Sequence, residues 1–327
     1  MWRQVCRVVS FACIAVTIAC DDPSGPSETS GEQTVTVMTY NIFHDAEQAN
    51  RGIAPWSERR SAVTEAIRDR MPHVLGLQEA EVWQVGWLLE QLPEYAAVER
   101  GPFADASIDD AETVAILYRD DRFHLEDSGH FWYSDSPDSP GSYGSPEFGG
   151  MTRPRMATWV RLRPLDAPAG RGFYVFNTHF NADDSADDPS LARLKSAEVL
   201  VRRIADRAHA DEHFFVAGDL NTRPGERPLE YLLGSRCEPG VECSEASAPS
   251  VRMVDAWAAL YPGDSQGTRC NSVTGSEGPR VDYVLAGDPG SQLDPPSIAD
   301  VEIADGADCP SDHRPVAATF SFRLDPS

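Results

Sequence analysis

The chain has 327 residues, 41% hydrophobic and 9% aromatic, enough apolar side chain to fill a core and to exclude wholesale disorder. Lys plus Arg number 28 against 52 Asp plus Glu, a formal net charge of −24, and Lys195 is the only lysine. A surface this acidic repels polyanions, which excludes generic coating of nucleic acid or of anionic lipid.

Met1 to Cys20 form a separate object. Arg3 and Arg7 precede a mostly apolar run from Val8 to Ala19, too short for a bilayer, which takes about 20 apolar residues, but suited to the hydrophobic region of a secretory signal. The run closes on Thr17-Ile18-Ala19-Cys20. That resembles the bacterial lipoprotein signal, whose cysteine is lipidated and becomes the new N-terminus, although Thr17 stands where leucine is usual. The expectation is a signal at 1–19, a Ser/Gly/Pro/acid tether at 20–33 and one folded domain at 34–327. The product would be exported and lipid-anchored through Cys20 on the periplasmic or outer-membrane face, or secreted if an ordinary signal peptidase cuts instead. Loss of Arg3 and Arg7 takes the charge to 26 − 52 = −26.

From Thr34 strand-like and helix-like segments alternate. Residues 34–40 (TVTVMTY) alternate with period two and read as a strand. Ser57 is the expected N-cap of a helix through Arg70, with Ala62, Val63, Ala66 and Ile67 on one face and Pro72 as its stop. A strand follows over 73–78 and a helix over 81–92. Further strands are expected at 113–118, 156–163, 172–179, 213–217, 281–286 and 315–322. The strongest helix pattern runs from Leu191 to His209, with Pro189 as its opening residue. Residues 134–150 and 236–250 read as long loops, and no linker splits the domain.

Seven cysteines divide into three in the signal (Cys6, Cys13, Cys20) and four beyond it. An even set in an exported chain suggests two disulfides. Of the three pairings, Cys237–Cys243 closing a short turn and Cys270–Cys309 as the longer staple is the expected one.

The informative pattern is where polar residues fall: at the ends of apolar strands. Asn41 closes the first, Gln78-Glu79 the second and Asn177-Thr178-His179 another. Asp219 and Asn221 follow HFFVAG, Asp282 sits between Val281 and Tyr283, and Ser311-Asp312-His313 precedes the last strand. Each alone passes for a turn residue. A carboxylate inside an apolar strand is costly unless paired, however. A set of carboxylate and amide oxygens suits a hard cation, Mg²⁺ with Mn²⁺ as the alternative. Two histidines with acid partners suit proton transfer. Together they point to metal-assisted hydrolysis of a phosphate ester.

Seven short motifs in order, T-Y-N-I (39–42), L-Q-E (77–79), Y-R (118–119), N-T-H-F (177–180), G-D-L-N (218–221), R-V-D-Y (280–283) and S-D-H-R-P-V (311–316), resemble the endonuclease/exonuclease/phosphatase superfamily. Phe131-Trp132-Tyr133-Ser134-Asp135-Ser136-Pro137 and Pro154-Arg155-Met156-Ala157-Thr158-Trp159 look like a bacterial branch of its metal-dependent hydrolases. The resemblance implies a deoxyribonuclease I-like four-layer α/β/β/α sandwich with the site at one rim. It implies that Asn41 and Glu79 hold the principal metal with Asp312 close by. Asp219 and Asn221 would position or deprotonate the attacking water and supply a second metal site. By the same resemblance His313 is the general base oriented by Asp282, and His179 protonates the leaving group or steadies the phosphorane. Glu112 would pair with His179, Arg155 would reach a phosphate oxygen, and Tyr118 belongs to the substrate site.

The resulting expectation is an exported metal-dependent phosphoesterase, a phosphodiesterase above all, working as a monomer with no stable nucleic-acid partner. Extracellular endonuclease, lipid or inositol phosphatase, and inactive binding module are the alternatives. The acidic run 183–188 reads as a solvated loop. Trp132, Tyr133, Tyr143 and Phe148 serve either stacking or packing. No partner is expected for His44, His124, His130 or His209.

Overall fold

The computed structural model describes residues 32–45, 53–103, 112–168, 170–182, 186–234, 251–270, 277–288, 295–304 and 309–324. The proposed signal and tether residues up to 31, including Cys20, lie outside these, as do Cys237, Cys243 and residues 183–185 of the acidic run.

Fourteen strands are present among the described residues: β1 (Glu32–Asn41), β2 (Val74–Gln78), β3 (Ala80–Glu81), β4 (Tyr95–Val98), β5 (Glu112–Thr113), β6 (Ile116–Arg119), β7 (Phe123–Trp132), β8 (Met156–Pro164), β9 (Phe173–His179), β10 (Phe214–Asp219), β11 (Arg252–Asp255), β12 (Asp282–Asp288), β13 (Ser297–Ile303) and β14 (Val316–Arg323). The helices are α1 (Trp56–Arg70), α2 (Val82–Gln91), α3 (Pro189–Ala205), α4 (Arg227–Leu232) and α5 (Ala256–Leu260). One six-stranded sheet runs β13-β14-β1-β2-β6-β4, the other β11-β12-β10-β9-β8-β7, and β3-β5 form a small ribbon.

Period-two alternation explains the layering. Val35 and Val37 of β1 join Val74, Phe173, Val175, Phe215, Ala217, Val284 and Phe320 in a core between the sheets. Met38 and Tyr40 face outward, where Val63 and Ile67 of α1 and Val85 and Leu88 of α2 cover them. On the other sheet Tyr174, Phe176, Phe214 and Val216 face Ala197, Leu200, Val201 and Ile204 of α3. The result is the expected α/β/β/α sandwich.

Helix ends differ from expectation in detail. α1 starts two residues earlier, with Pro55 rather than Ser57 at its N-cap. α3 begins at Pro189 as expected, capped by Asp188 accepting from the Leu191 N–H, and ends at Ala205 rather than His209.

The sheets approach most closely beneath the rim. A Cβ on Gly76 of β2 would lie 2.6 Å from Asn177 Oδ1 on β9, so no larger residue fits there. Asn177 donates to the carbonyls of Leu77 and Ala115 (2.8 and 2.7 Å) and accepts from Gln78 Nε2 (2.6 Å), which also donates to Thr39 Oγ1 at 3.0 Å. Gln78 and Asn177, two of the strand-end polar residues, are therefore a cross-sheet staple supporting the site from below.

Candidate active site

Topology delivers the remaining strand-end residues to one rim. β1 and β2 are parallel and end together at Asn41 and Gln78, with Glu79 next. β9 and β10 are parallel, with His179 beside Asp219, and antiparallel β12 begins opposite at Asp282. The loop entering β14 carries Asp312 and His313. Ser311 Oγ donates to the Asn41 carbonyl at 2.7 Å and ties that loop to β1.

Asp219 Oδ2 is the hub. Asn41 Nδ2 donates to it at 3.1 Å and to Glu79 Oε1 at 3.2 Å. The Nε2 atoms of His179 and His313 approach it at 3.5 and 3.6 Å. His313 Nδ1 lies 2.7 Å from Asp282 Oδ2, a charge-assisted bond between buried groups. Thr268 Oγ1 accepts from the backbone N–H groups of Val281 and Asp282 and fixes that strand start. Asp219 Oδ1 accepts the Asn221 N–H at 2.9 Å.

Backbone strain is concentrated here. Of four non-glycine residues with positive φ among those described, Phe43 (59°), Glu79 (56°) and Asn221 (47°) border the site, while Met71 caps α1. Each such residue costs on the order of 1–3 kcal/mol and persists only where its surroundings enforce it. Arg59 does so for the loop after β1. It is buried, reaches from α1, and donates to the carbonyls of Ile42, Phe43 (2.6 Å), His44 (3.3 Å) and Pro310 (3.3 Å).

Two expected roles change. Glu112 does not pair with His179. On the β3–β5 ribbon it faces Glu81, and its carboxylate lies 3.7 Å from His44 Nδ1. His179 Nδ1 meets Arg155 Nη1 at 3.0 Å instead. Tyr118 is not at the rim. β6 runs antiparallel to β2, so Tyr118 pairs with Val74 at the far end of the strand and packs in the inter-sheet core.

His44, for which no partner was expected, belongs to the site: its Nδ1 lies 3.1 Å from Glu79 Oε2. Arg269 was also missed. It approaches Asp312 Oδ2 at 3.3 Å and Asn221 Oδ1 at 3.4 Å. Its neighbour Cys270 is disulfide-bonded to Cys309 with the expected pairing. Trp132, Tyr133 and Phe148 are buried, and of the four candidate stacking aromatics only Tyr143 is exposed.

Electrostatics separate the histidines. Burial pushes His313 down, but Asp282, Asp219 and Asp312 outweigh it and raise it to about 9. Burial and the Arg155 guanidinium hold His179 well below its usual value, so it is neutral. Burial and the neighbouring Asp282 raise Asp219 to about 6. Burial also pushes Glu79 up, yet the bond from His44 and the histidine fields outweigh it and hold it below the carboxylate range. Of these the His44 bond is decisive, since His179 is uncharged. His44 is raised in return by Glu79.

The site has two unlike walls. On one, acceptors are in surplus: Asp282 Oδ1 and Asp312 Oδ1 are buried without a partner, and one amide serves both Glu79 and Asp219. On the other, donors are in surplus. Arg155 Nη1 and Asn221 Nδ2, which gives one hydrogen to the Phe180 carbonyl at 3.2 Å, face the two ring nitrogens of His179 (3.0 and 3.2 Å), yet a neutral imidazole accepts at only one. Turning the Asn221 amide over would set its NH₂ against Arg269. Acceptor surplus suits a hard cation, and donor surplus suits an anion. Asp219, Asp282 and His313 each offer one atom within 4.8 Å of the others, a second grouping capable of holding an ion. The 2.7 Å His313–Asp282 bond marks that trio as a proton-handling group and leaves the Asn41–Glu79 side for the metal.

Residues 38–313 match the Endonuclease/Exonuclease/phosphatase family. The chain belongs to that family. Its members hydrolyse phosphoesters and typically depend on a divalent metal. Among curated proteins, the Arabidopsis thaliana carbon catabolite repressor protein 4 homolog 4 is 28% identical over 165 residues, covering 46% of this chain and 37% of that protein. Among solved structures, a Bacteroides vulgatus endonuclease/exonuclease/phosphatase superposes with a TM-score of 0.69 at 23% identity, covering 90% of this chain and all of that one. The mannosyl-6-phosphatase of Bacteroides thetaiotaomicron gives 0.65 at 22%, covering 88% and 100%. The human nocturnin catalytic domain gives 0.62 at 19%, covering 88% and 93%.

Proposed function

We propose that this family member is an exported, lipid-anchored, Mg²⁺-dependent hydrolase of phosphate esters, acting by in-line attack of water. The observation that carries the reading is the pairing of an acceptor-rich wall with a donor-rich wall around the His313–Asp282 pair. Asn41 and Glu79, with Asp312 nearby, are the residues that would hold the principal ion, and Asp219 with Asn221 a second. When bound, Mg²⁺ supplies Lewis-acid stabilisation of charge on the phosphoryl oxygens and a more acidic water.

The chain's own residues account for the rest. Asp282 accepts Nδ1–H of His313, fixing the tautomer that leaves Nε2 as a lone pair. Nε2 takes a proton from water as the new O–P bond forms and the ester P–O bond breaks. The ester oxygen leaves as the alcohol, taking a proton from solvent water, and His313 gives its proton back to solvent, so that one water is consumed in all. His179 is neutral with Nδ1 accepting from Arg155, so Nε2–H is its donor. That geometry suits steadying a phosphoryl oxygen better than protonating the leaving group. Arg155, whose Nε is also without a partner, supplies the fixed positive charge.

The substrate is expected to be soluble. β1 enters at Glu32 and reaches the rim nine residues later at Asn41, about 30 Å away at roughly 3.3 Å per residue. A lipid on Cys20 would attach the domain through the end opposite the site, so the anchor does not itself present the rim to lipid headgroups. Long nucleic acid is disfavoured by the charge of −26, and no stable nucleic-acid partner or second subunit is proposed. The mannosyl-6-phosphatase superposition shows that this fold also serves an enzyme named for a phosphomonoester. The sequence favours a diester, whereas a second arginine at the rim, Arg269, favours a monoester.

The test is Mg²⁺-dependent hydrolysis of p-nitrophenyl phosphate, bis-p-nitrophenyl phosphate and supercoiled plasmid by wild type and His313→Ala. Activity on either small ester, lost in the variant and on chelation, supports the reading. Activity that survives in His313→Ala sinks the assigned base, and silence on all three sinks the hydrolase.

A further inference from the structure

Arg269 is a strong cation of the rim that neither the motifs nor the roles above employ. Its backbone is fixed on several sides. It bridges His313 across the sheet edge, its N–H donates to the Pro279 carbonyl at 3.1 Å, and its own carbonyl accepts from Gly278 at 2.8 Å. The next residue, buried Cys270, is bonded to Cys309 and donates its N–H to the Asp312 carbonyl at 2.8 Å. The guanidinium at the end of this rigid segment is, by contrast, lightly engaged. Its two polar contacts, with Asp312 and Asn221, are 3.3 and 3.4 Å long, and the side chain keeps 33% of its exposure. Contacts that long are at the weak end of hydrogen bonding.

The position matters as much as the slack. Arg155, His179, Asn221 and Arg269 follow one another along the donor-rich wall at 3.0, 3.2 and 3.4 Å, so a guanidinium stands at each end of the His179–Asn221 pair. An anion held there meets two fixed positive charges. A phosphodiester carries one negative charge on two free oxygens, and a phosphomonoester dianion carries two on three. One arginine suffices for the first, whereas a second is repaid only where the second charge exists.

We propose that Arg269, held in place by the Cys270–Cys309 crosslink, is a substrate-binding residue that reads the second charge of the phosphoryl group, so that the preferred substrates are phosphomonoesters. The inference rests on the hydrolase reading for its reaction but not for its binding step. The rival role for Arg269 is to neutralise Asp312 and Asp219, and that role is indifferent to the charge on the ligand.

The test compares the full chain with Arg269→Met and Arg269→Lys, in the presence of Mg²⁺ at pH 8. The disulfide is checked by thiol titration and folding by thermal melting. Binding of inorganic phosphate and of dimethyl phosphate is measured by calorimetry, and kcat/KM is measured on p-nitrophenyl phosphate and bis-p-nitrophenyl phosphate. Wild type is expected to prefer inorganic phosphate. Arg269→Met should lose about tenfold or more of that affinity, equivalent to about 1.4 kcal/mol, with dimethyl phosphate changed less than about twofold and Arg269→Lys recovering part of the loss. The monoester-to-diester ratio of kcat/KM should fall in parallel. Equal losses on both anions, or none on phosphate, overturn the proposal in favour of the neutralising role. A chain that shows the Arg269-dependent preference yet turns over no ester upholds the charge reading while sinking the hydrolase.

Discussion

The two ends of the sandwich treat arginine in opposite ways. At the end away from the rim, Arg161 makes a two-pronged pair with Glu212 (2.8 and 2.6 Å), Arg163 bonds Glu126 at 2.7 Å, and Arg119 grips Asp121 through two 2.7 Å bonds. At the rim, Arg155 is nearly buried, makes its one hydrogen bond to a histidine and leaves Nε without a partner. Arg269 spends its donors on contacts of 3.3 Å and longer. Burying polar groups without full pairing lowers stability. Arg59, also near the rim, spends its donors on the carbonyls of the loop after β1, so it is Arg155 and Arg269, the two that flank His179 and Asn221, that keep donors for something that binds.

The sharpest break of that comparison is at the proton-handling pair. His313→Ala is expected to lower kcat by about 10³–10⁴, within the range for general-base loss, while thermal unfolding stays cooperative. Asp282→Asn, which keeps size and removes the charge that orients His313, should cost somewhat less. Because Asp282, Asp219 and Asp312 raise His313 to about 9 in the ion-free protein, activity should increase with pH above neutrality, where the base form grows. A rate that falls across that interval would remove His313 from the role.

Next in size is the contrast between arginines. Arg155→Met should reduce kcat/KM by about a hundredfold, the scale of one transition-state donor, yet cost no more than about 1 kcal/mol of stability, since it loses one hydrogen bond, to His179, but orphans no carboxylate and relieves a buried, under-paired charge. Glu212→Gln should do the reverse. It takes the charge from the closer of Arg161's two carboxylate partners, leaving Glu126 at 3.5 Å, weakens acceptance from the Gly172 N–H, and sits 3% exposed, so a loss of about 1–3 kcal/mol is expected, less than a fully buried pair would cost. Activity per folded molecule should be unchanged. Denaturant melts and kinetics on the same two preparations check both halves, and matching phenotypes would erase the distinction between the two ends.

The Cys270–Cys309 bond should be worth roughly 2–4 kcal/mol as a crosslink over 39 residues. If it also holds Arg269 in place, the double Cys→Ala variant will lose monoester activity beyond what its lower stability explains at temperatures where it is still fully folded. Loss of stability alone would make the crosslink a plain staple.

What could be read from the sequence divides along the same line. Residues on strands were legible, because period-two patterns locate strand ends and the polar residues just past them: Asn41, Glu79, His179, Asp219, Asp282 and His313 all reached one rim. Gln78 and Asn177 looked alike from the sequence and proved to be a staple between sheets, a distinction set by a partner on another strand. Arg269 and His44 stand in irregular segments where no periodicity applies. Arg59 left a signal that went unread, since it falls in the stripe Trp56, Arg59, Val63, Ile67 that faces inward on α1. An arginine in an apolar stripe implies buried acceptors, here the carbonyls of the loop after β1. Strands β3, β4, β7, β11 and β13 were missed. β7 reads FHLEDSGHFW, with acids and a glycine in its middle, and owes its strand form to pairing with β8 rather than to its own pattern.

The smallest expected effect again sets the two ends against each other, through two histidines. At the far end His73 Nδ1 accepts the Thr36 N–H at 3.0 Å, a bond only the unprotonated nitrogen can make. Burial, then Arg122 and Arg119, lower its pKa below the usual 6.5. Its folded value is depressed, so its contribution to stability is complete above about 6.5 and is lost as pH falls through the lower folded value. At the rim His44 is raised above 6.5, first by its bond to Glu79. Its contribution is complete below about 6.5 and is lost as pH rises through the folded value. With divalent ions chelated, the stability of wild type should therefore fall on the acid side through His73 together with His179 and His130, and on the alkaline side through His44 together with His313. His73→Gln, whose amide oxygen can still accept from Thr36, should lessen the acid limb and leave the alkaline one, and His44→Gln should lessen the alkaline limb and leave the acid one. An acid limb unchanged in His73→Gln would mean that the Thr36 bond survives protonation, and that the far end has the same slack as the rim.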